Sequence, residues 1–177
     1  GEQVTSALLA TALNNLNIKA RSWLGWQVPI ISDNSYGKAV IEEIKTDNIL
    51  EFLKKNQVAI ISGFQGVSKE NRITTLGRGG SDTSAVAIAA AFSAERCDIY
   101  TDVDGVYTTD PRIVKSAKKL DLITYEEMLE LASQGAKVLQ TRSVALAMKY
   151  NVKLRVLSSF EDLPGTSIIK EEKNMEK

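Results

Sequence analysis

The sequence contains no histidine. Ser-His-Asp and Cys-His nucleophilic chemistry are therefore excluded, as are histidine-ligated metal centres. Any general base must be a carboxylate, a lysine or a tyrosine. Cysteine is nearly as scarce. Cys97 stands alone, so no intrachain disulfide can form, and a reducing compartment fits. Long apolar runs are missing too: the longest, residues 85–92, is far too short to span a bilayer. From Gly1 onward there is no basic-then-apolar leader. An excess of charge of either sign is also lacking. The 22 basic residues balance the 22 acidic ones, which argues against nucleic acid or an anionic membrane as main partner. Together these absences point to the cytoplasm.

What remains is an ordinary globular composition over 177 residues, enough for one substantial core. Helical spacing runs through residues 1–16, with Glu2 in the first turn, and a short strand follows at 18–23. Residues 25–37 read as a loop or weak strand pair. A strand at 39–44 precedes a helix capped by Thr46 or Asp47. Residues 58–61 are a β-branched run of the fully buried kind, ending in the glycine turn 62–66. A return strand is expected at 73–76 and another strand at 97–101. Thr124 caps a helix through Ala132, and a second helix occupies 138–150. The last strands are 154–157 and an edge strand at 167–169; residues 170–177 are a charged tail. Strands alternating with helices give an α/β layered fold with a largely parallel sheet, whose ligands sit beyond strand carboxyl ends. The opening glycine reads as the interior of a longer protein.

Residues 74–94, TTLGRGGSDTSAVAIAAAFSA, are the stretch around which the rest is arranged. A polar glycine turn opens into an alanine-rich helix that Ser81 or Asp82 would cap. Such a turn presents free N–H groups and the positive end of a dipole, and Arg78 adds a planar cationic fork. Arg78 with the amides of Gly79, Gly80 and Ser81 can hold one small anion; the alternative is a structural turn with Arg78 solvated. No lysine follows the glycines, so this is not a Walker A loop, and Asp82 would repel a phosphate. A carboxylate suits the turn, with Asp82 free to orient a lysine, an amine or a metal.

Two further constellations stand out. Residues 101–112 pack Thr101, Asp102, Asp104, Tyr107, Asp110 and Arg112 into a short span. The twelfth-position ligand of a calcium loop is missing. The span is either a turn at Asp104-Gly105 or a nucleotide loop. In the second case Thr101 and Asp102 lie beside ribose and phosphates, Tyr107 contacts the base and Arg112 a phosphate. The third is Gly135-Ala136-Lys137 at a helix start, where a lysine opposes the dipole and is either solvated surface or a phosphate ligand.

In this order, GFQG at 63–66, TTLGRGGSDT at 74–83, TDVDGVYTTDPR at 101–112, EEMLELASQGAK at 126–137 and LQTRSV at 139–144 resemble the amino-acid kinase family, and within it the aspartate kinases. The resemblance implies a layered α/β/α sandwich of the carbamate kinase-like type, N-terminally incomplete, with residues 1–169 as a partial catalytic domain. It implies transfer of the γ-phosphoryl group of magnesium-ATP to the side-chain carboxylate of L-aspartate, the first step towards lysine, threonine and methionine. Carried over residue by residue, Glu2 is an acid near the substrate. Arg78 clamps an aspartate carboxylate with Gly79, Gly80 and Ser81 in the same pocket. Asp82 organises catalytic lysines. Thr101, Asp102, Tyr107 and Arg112 touch the nucleotide, and Lys137 is a catalytic phosphate contact. No dedicated metal ligands are implied. The family's Lys-Phe-Gly-Gly-like strand-loop would precede Gly1 and its ACT regulatory domains would follow Lys177. A homo-oligomer is expected, and by itself this stretch is expected to be inactive or weakly active. A uridylate or glutamate kinase-like enzyme and a non-catalytic ligand-binding remnant are the alternatives.

Overall fold

A computed structural model describes residues 1–136 and 138–171. Two units divide the chain, Gly1–Phe92 and Ser93–Lys177. The first runs α1 (Glu2–Asn15), β1 (Ala20–Trp23), β2 (Ile30–Ser32), β3 (Ile41–Ile44), α2 (Asp47–Leu53), β4 (Val58–Ile61), β5 (Gln65–Ser68), β6 (Ile73–Thr75) and α3 (Gly80–Ala91). Strands β1 and β4 pair in parallel, Ala20 against Val58 through Trp23 against Ile61. A second sheet has the order β3-β2-β5-β6, with β2 and β5 parallel and its outer pairs antiparallel. Val28, Ile30 and Ile49 form the buried centre, with Trp23, Ile41, Ile61, Ile88 and Phe92 packed around them. The Trp23 and Phe52 rings meet edge-on at 5.6 Å, a favourable aromatic geometry.

Three expectations change in this unit. β4 is not fully buried: Val58 is 40% exposed. Among the described residues β1 is its only strand partner. Helix α3 is not capped by Ser81 or Asp82, which lie in its first turn. Its N-cap is Gly79, in left-handed backbone at φ 65°, a conformation that costs a side-chain-bearing residue about 1–2 kcal/mol. The hydroxyls of Thr83 and Ser84 instead donate back to the carbonyls of Gly79 and Gly80, at 2.9 and 2.7 Å. Lastly, the glycine turn after Ile61 is short, because β5 begins at Gln65 and is buried along its whole length.

The second unit runs β7 (Cys97–Thr101), β8 (Val106–Tyr107), β9 (Lys119–Leu120), β10 (Leu122–Thr124), α4 (Tyr125–Ser133), α5 (Thr141–Tyr150), β11 (Leu154–Ser158) and β12 (Thr166–Ile169). Its main sheet has the order β10-β12-β11-β7. β7 and β11 form a five-residue parallel ladder, Cys97 against Leu154 through Thr101 against Ser158. β12, expected at an edge, lies inside the sheet, antiparallel to β11 and parallel to β10. The Pro164-Gly165 turn brings it back along β11, and the short β10, which the hydrophobic pattern does not reveal, covers its other side. Helix α4 starts where expected, with a capping box between Thr124 and Glu127. Helix α5 starts three residues later than the sequence suggests, after Gln140.

The α/β class is as expected. Among the described residues four of eight strand pairings are parallel, including the two longest ladders. No helix of the described residues is long and apolar enough to cross a membrane.

Candidate active site

In the first unit, three element ends meet around a cleft of about 310 Å³. Glu2, Thr5, Ser6 and Leu9 come from α1; Ile60, Ile61, Ser62 and Gly63 from β4 and the turn beyond it; Ser81, Ser84, Ala85 and Ile88 from α3. This is the carboxyl end of a parallel strand, where α/β folds place ligands. A buried hydroxyl pair, Ser6 Oγ to Ser62 Oγ at 2.8 Å, fastens α1 to the β4 end. Gln3 Nε2 donates to Gln65 Oε1 at 3.0 Å and fastens it to β5. A Cβ on Gly63 would come within 3.4 Å of Ser81 Cα, so turn and helix start lie in near contact.

Of the expected acceptor-site residues, Glu2 and Ser81 line this cleft. Arg78 and Gly79 form the turn leading to it, and Gly80 begins the helix. Arg78 is exposed and makes no hydrogen bond or ion pair with the described residues, so its fork is available to an anion. Asp82 is half-buried and also has no partner among them. Burial raises its carboxyl above the ordinary carboxylate value, because desolvation penalises the charged form. Nearby cationic charge would offset that penalty.

The second unit carries the expected nucleotide residues at the end of β7 and beyond. Thr101 Oγ1 donates to Asp102 Oδ1 at 3.1 Å, and the Thr101 carbonyl accepts from the Ser159 amide at 2.8 Å. Tyr107, on β8, donates its hydroxyl to the Asp104 carboxylate at 3.1 Å, with Lys119 Nζ 3.8 Å from the same group. Burial, then the Asp104 bond, raises the Tyr107 phenol. The alternative of a hairpin-like turn at Asp104-Gly105 is not what forms: β8 pairs with β9, and residues 108–118 make the connecting loop. In that loop Arg112 makes a two-pronged bond to Asp110, Nε to Oδ1 at 3.0 Å and Nη2 to Oδ2 at 2.8 Å. Asp110 thus has a definite partner, and the guanidinium holds its carboxyl down at about 2. Lys137 lies outside the described residues.

A family model for the amino acid kinase family matches residues 1–158. The chain belongs to the amino acid kinase family. Curated relatives include the aspartokinase of Rickettsia felis, 57% identical over 99% of this chain and 44% of its own length. The aspartate kinase of Pseudomonas fluorescens is 59% identical over 99% of this chain and 43% of its own. The chain therefore spans less than half the length of these relatives. Among solved structures, E. coli aspartokinase III in complex with aspartate and ADP superposes with a TM-score of 0.87. It is 34% identical, covering 98% of this chain and 40% of that one.

For an amino acid kinase the sequence motifs mark most of the polar turns but assign no role to the cleft hydroxyls of Thr5, Ser6, Ser62 and Ser84. Ser84 had a signal. A buried hydroxyl inside an alanine-rich helix must find hydrogen-bond partners, and those partners locate a neighbouring turn. Ser6 and Ser62 sit in stretches where only the contact between them gives either one meaning.

Proposed function

We propose that this chain is the larger part of the catalytic region of an aspartate kinase, which moves the γ-phosphoryl group of ATP to the side-chain carboxylate of L-aspartate. A carboxylate oxygen attacks the γ-phosphorus, the bond to the β–γ bridging oxygen breaks, and ADP leaves with that electron pair. Such transfer depends on positioning and charge neutralisation rather than covalent help from the protein. Arg78, with the amides that open α3, holds a carboxylate of the amino acid, and Glu2 faces its ammonium. Ser81 closes the cleft wall. Asp82, whose carboxylate has no partner among the described residues, is suited to hold a cation in place beside the reacting groups. Thr101, Asp102, Tyr107 and Arg112 hold the nucleotide, which enters as its magnesium complex, and Lys137 meets a phosphate. Arg112 must exchange Asp110 for phosphate to do so. ACT regulatory domains, a homo-oligomer and a cytoplasmic setting go with this proposal for the whole protein.

The observation that carries the proposal is the cleft itself: Glu2 and Ser81 on its walls, with Arg78, unpaired among the described residues, in the turn beside it. The relatives' names and the E. coli complex with aspartate and ADP support it. The test is ADP release by the natural polypeptide bearing this sequence, with aspartate, glutamate and UMP offered separately. Aspartate is expected to be the acceptor, and Arg78→Ala to raise its KM on the order of a hundredfold with little change for ATP. Turnover of UMP in preference to aspartate would move the protein to the uridylate branch of the fold.

A further inference from the structure

We infer that Ser84 is a positioning residue for the acceptor site, a hydroxyl clamp that fixes the Gly63-Phe64 turn to the start of α3; the inference rests on the aspartate kinase proposal and deepens it. Ser84 is 1% exposed, one turn into α3. Its hydroxyl donates to the Gly80 carbonyl at 2.7 Å and accepts from the Phe64 amide at 3.0 Å. One side chain thus satisfies two backbone groups from different segments.

Phe64 needs such a clamp. It has left-handed backbone, φ 66°, which a bulky residue avoids unless its surroundings impose it. Three contacts do so. Ser84 takes the Phe64 N–H, the Leu76 amide donates to the Phe64 carbonyl at 3.0 Å, and the ring packs where a Cβ on Gly80 would stand, 2.7 Å from Phe64 Cδ2. Leu76 precedes the Gly77–Gly79 turn, so the same contacts tie together the residues flanking Arg78. Gly63, immediately before Phe64, and Ser84 itself both line the cleft. Without the clamp, the Phe64 amide is left unpaired and the turn relaxes towards right-handed backbone. Gly63 then moves relative to Ser81, and the acceptor wall loses its shape. The expected loss falls on aspartate and not on nucleotide, whose expected contacts are all beyond residue 100.

The experiment compares Ser84→Ala with Ser84→Thr in the natural polypeptide. Threonine keeps the hydroxyl and can bond the carbonyl one turn back in a helix. Aspartate KM, ATP KM, Tm and hydrogen exchange at the Phe64 amide are measured for each. Ser84→Ala is expected to free the Phe64 amide and raise aspartate KM roughly tenfold, as for one buried polar group left unpaired. ATP KM should stay within about twofold, and Ser84→Thr should restore both readouts. Unchanged aspartate KM in Ser84→Ala overturns the inference, as does an equal rise for both substrates that follows the loss of Tm. If the wild type turns over no aspartate while Ser84→Ala still frees the Phe64 amide, the substrate proposal fails and the clamp stands.

Discussion

Asp82 shows how one residue can cost stability at a place where a chemical role is proposed for it. It is half-buried without a described partner, and its carboxyl is raised by desolvation. A carboxylate raised in the folded state binds its proton more tightly there than when unfolded. Its ionised form therefore lowers stability at neutral pH, and the deficit shrinks as pH falls through the folded value, vanishing below the unfolded 3.8. Asp82→Asn is accordingly expected to raise Tm by about 1–3 °C at pH 7, with the gain fading as pH approaches 4. The same change should lower kcat by about a hundredfold or more if Asp82 anchors catalytic charge. Calorimetry across pH and steady-state kinetics check the two halves. Asp110 has the opposite sign. Arg112 holds it at about 2, so its favourable pairing is complete above 3.8 and lost as pH falls through 2. NMR titration should find that low midpoint, and Arg112→Ala should return it towards the ordinary value.

Among whole elements, the long periodic ones were legible in the sequence. α1, α4, β7 and β11 lie within a residue or two of where apolar spacing and caps put them. The missing elements share a cause. β5 is QGVS, buried because strands flank it on both sides rather than because its side chains are apolar. β8 and β9 are two residues each and carry no period at all. Asparagine takes the stop-signal place usually held by glycine at three helix ends: Asn17, Asn56 and Asn151 adopt left-handed backbone just past α1, α2 and α5. At the site, motifs identified the turn residues and the alanine-rich helix offered a signal for Ser84, while the Ser6–Ser62 pair needed three-dimensional neighbours to be seen. Caps that were legible carry measurable energy. Thr124→Ala removes one side of the α4 capping box and should cost about 1 kcal/mol in urea unfolding at unchanged m.

At the scale of the molecule, the expected acceptor residues belong to the first unit and the expected nucleotide residues to the second. Ligands should therefore leave separate footprints. Aspartate alone is expected to slow hydrogen exchange several-fold at residues 62–66 and 77–84, and nucleotide alone at residues 101–112. Interchanged footprints would overturn the assignment of roles. Cys97 makes a further class of measurement simple. It is the sole cysteine and is 7% exposed at the start of β7, so a maleimide reagent meets little native thiol in the folded protein. Within these 177 residues, a cysteine introduced at exposed Glu70, on the first unit, or at Thr109, on the second, would be the one exposed thiol. Fluorescent or spin labels can then be attached to either unit without first removing Cys97 from the core.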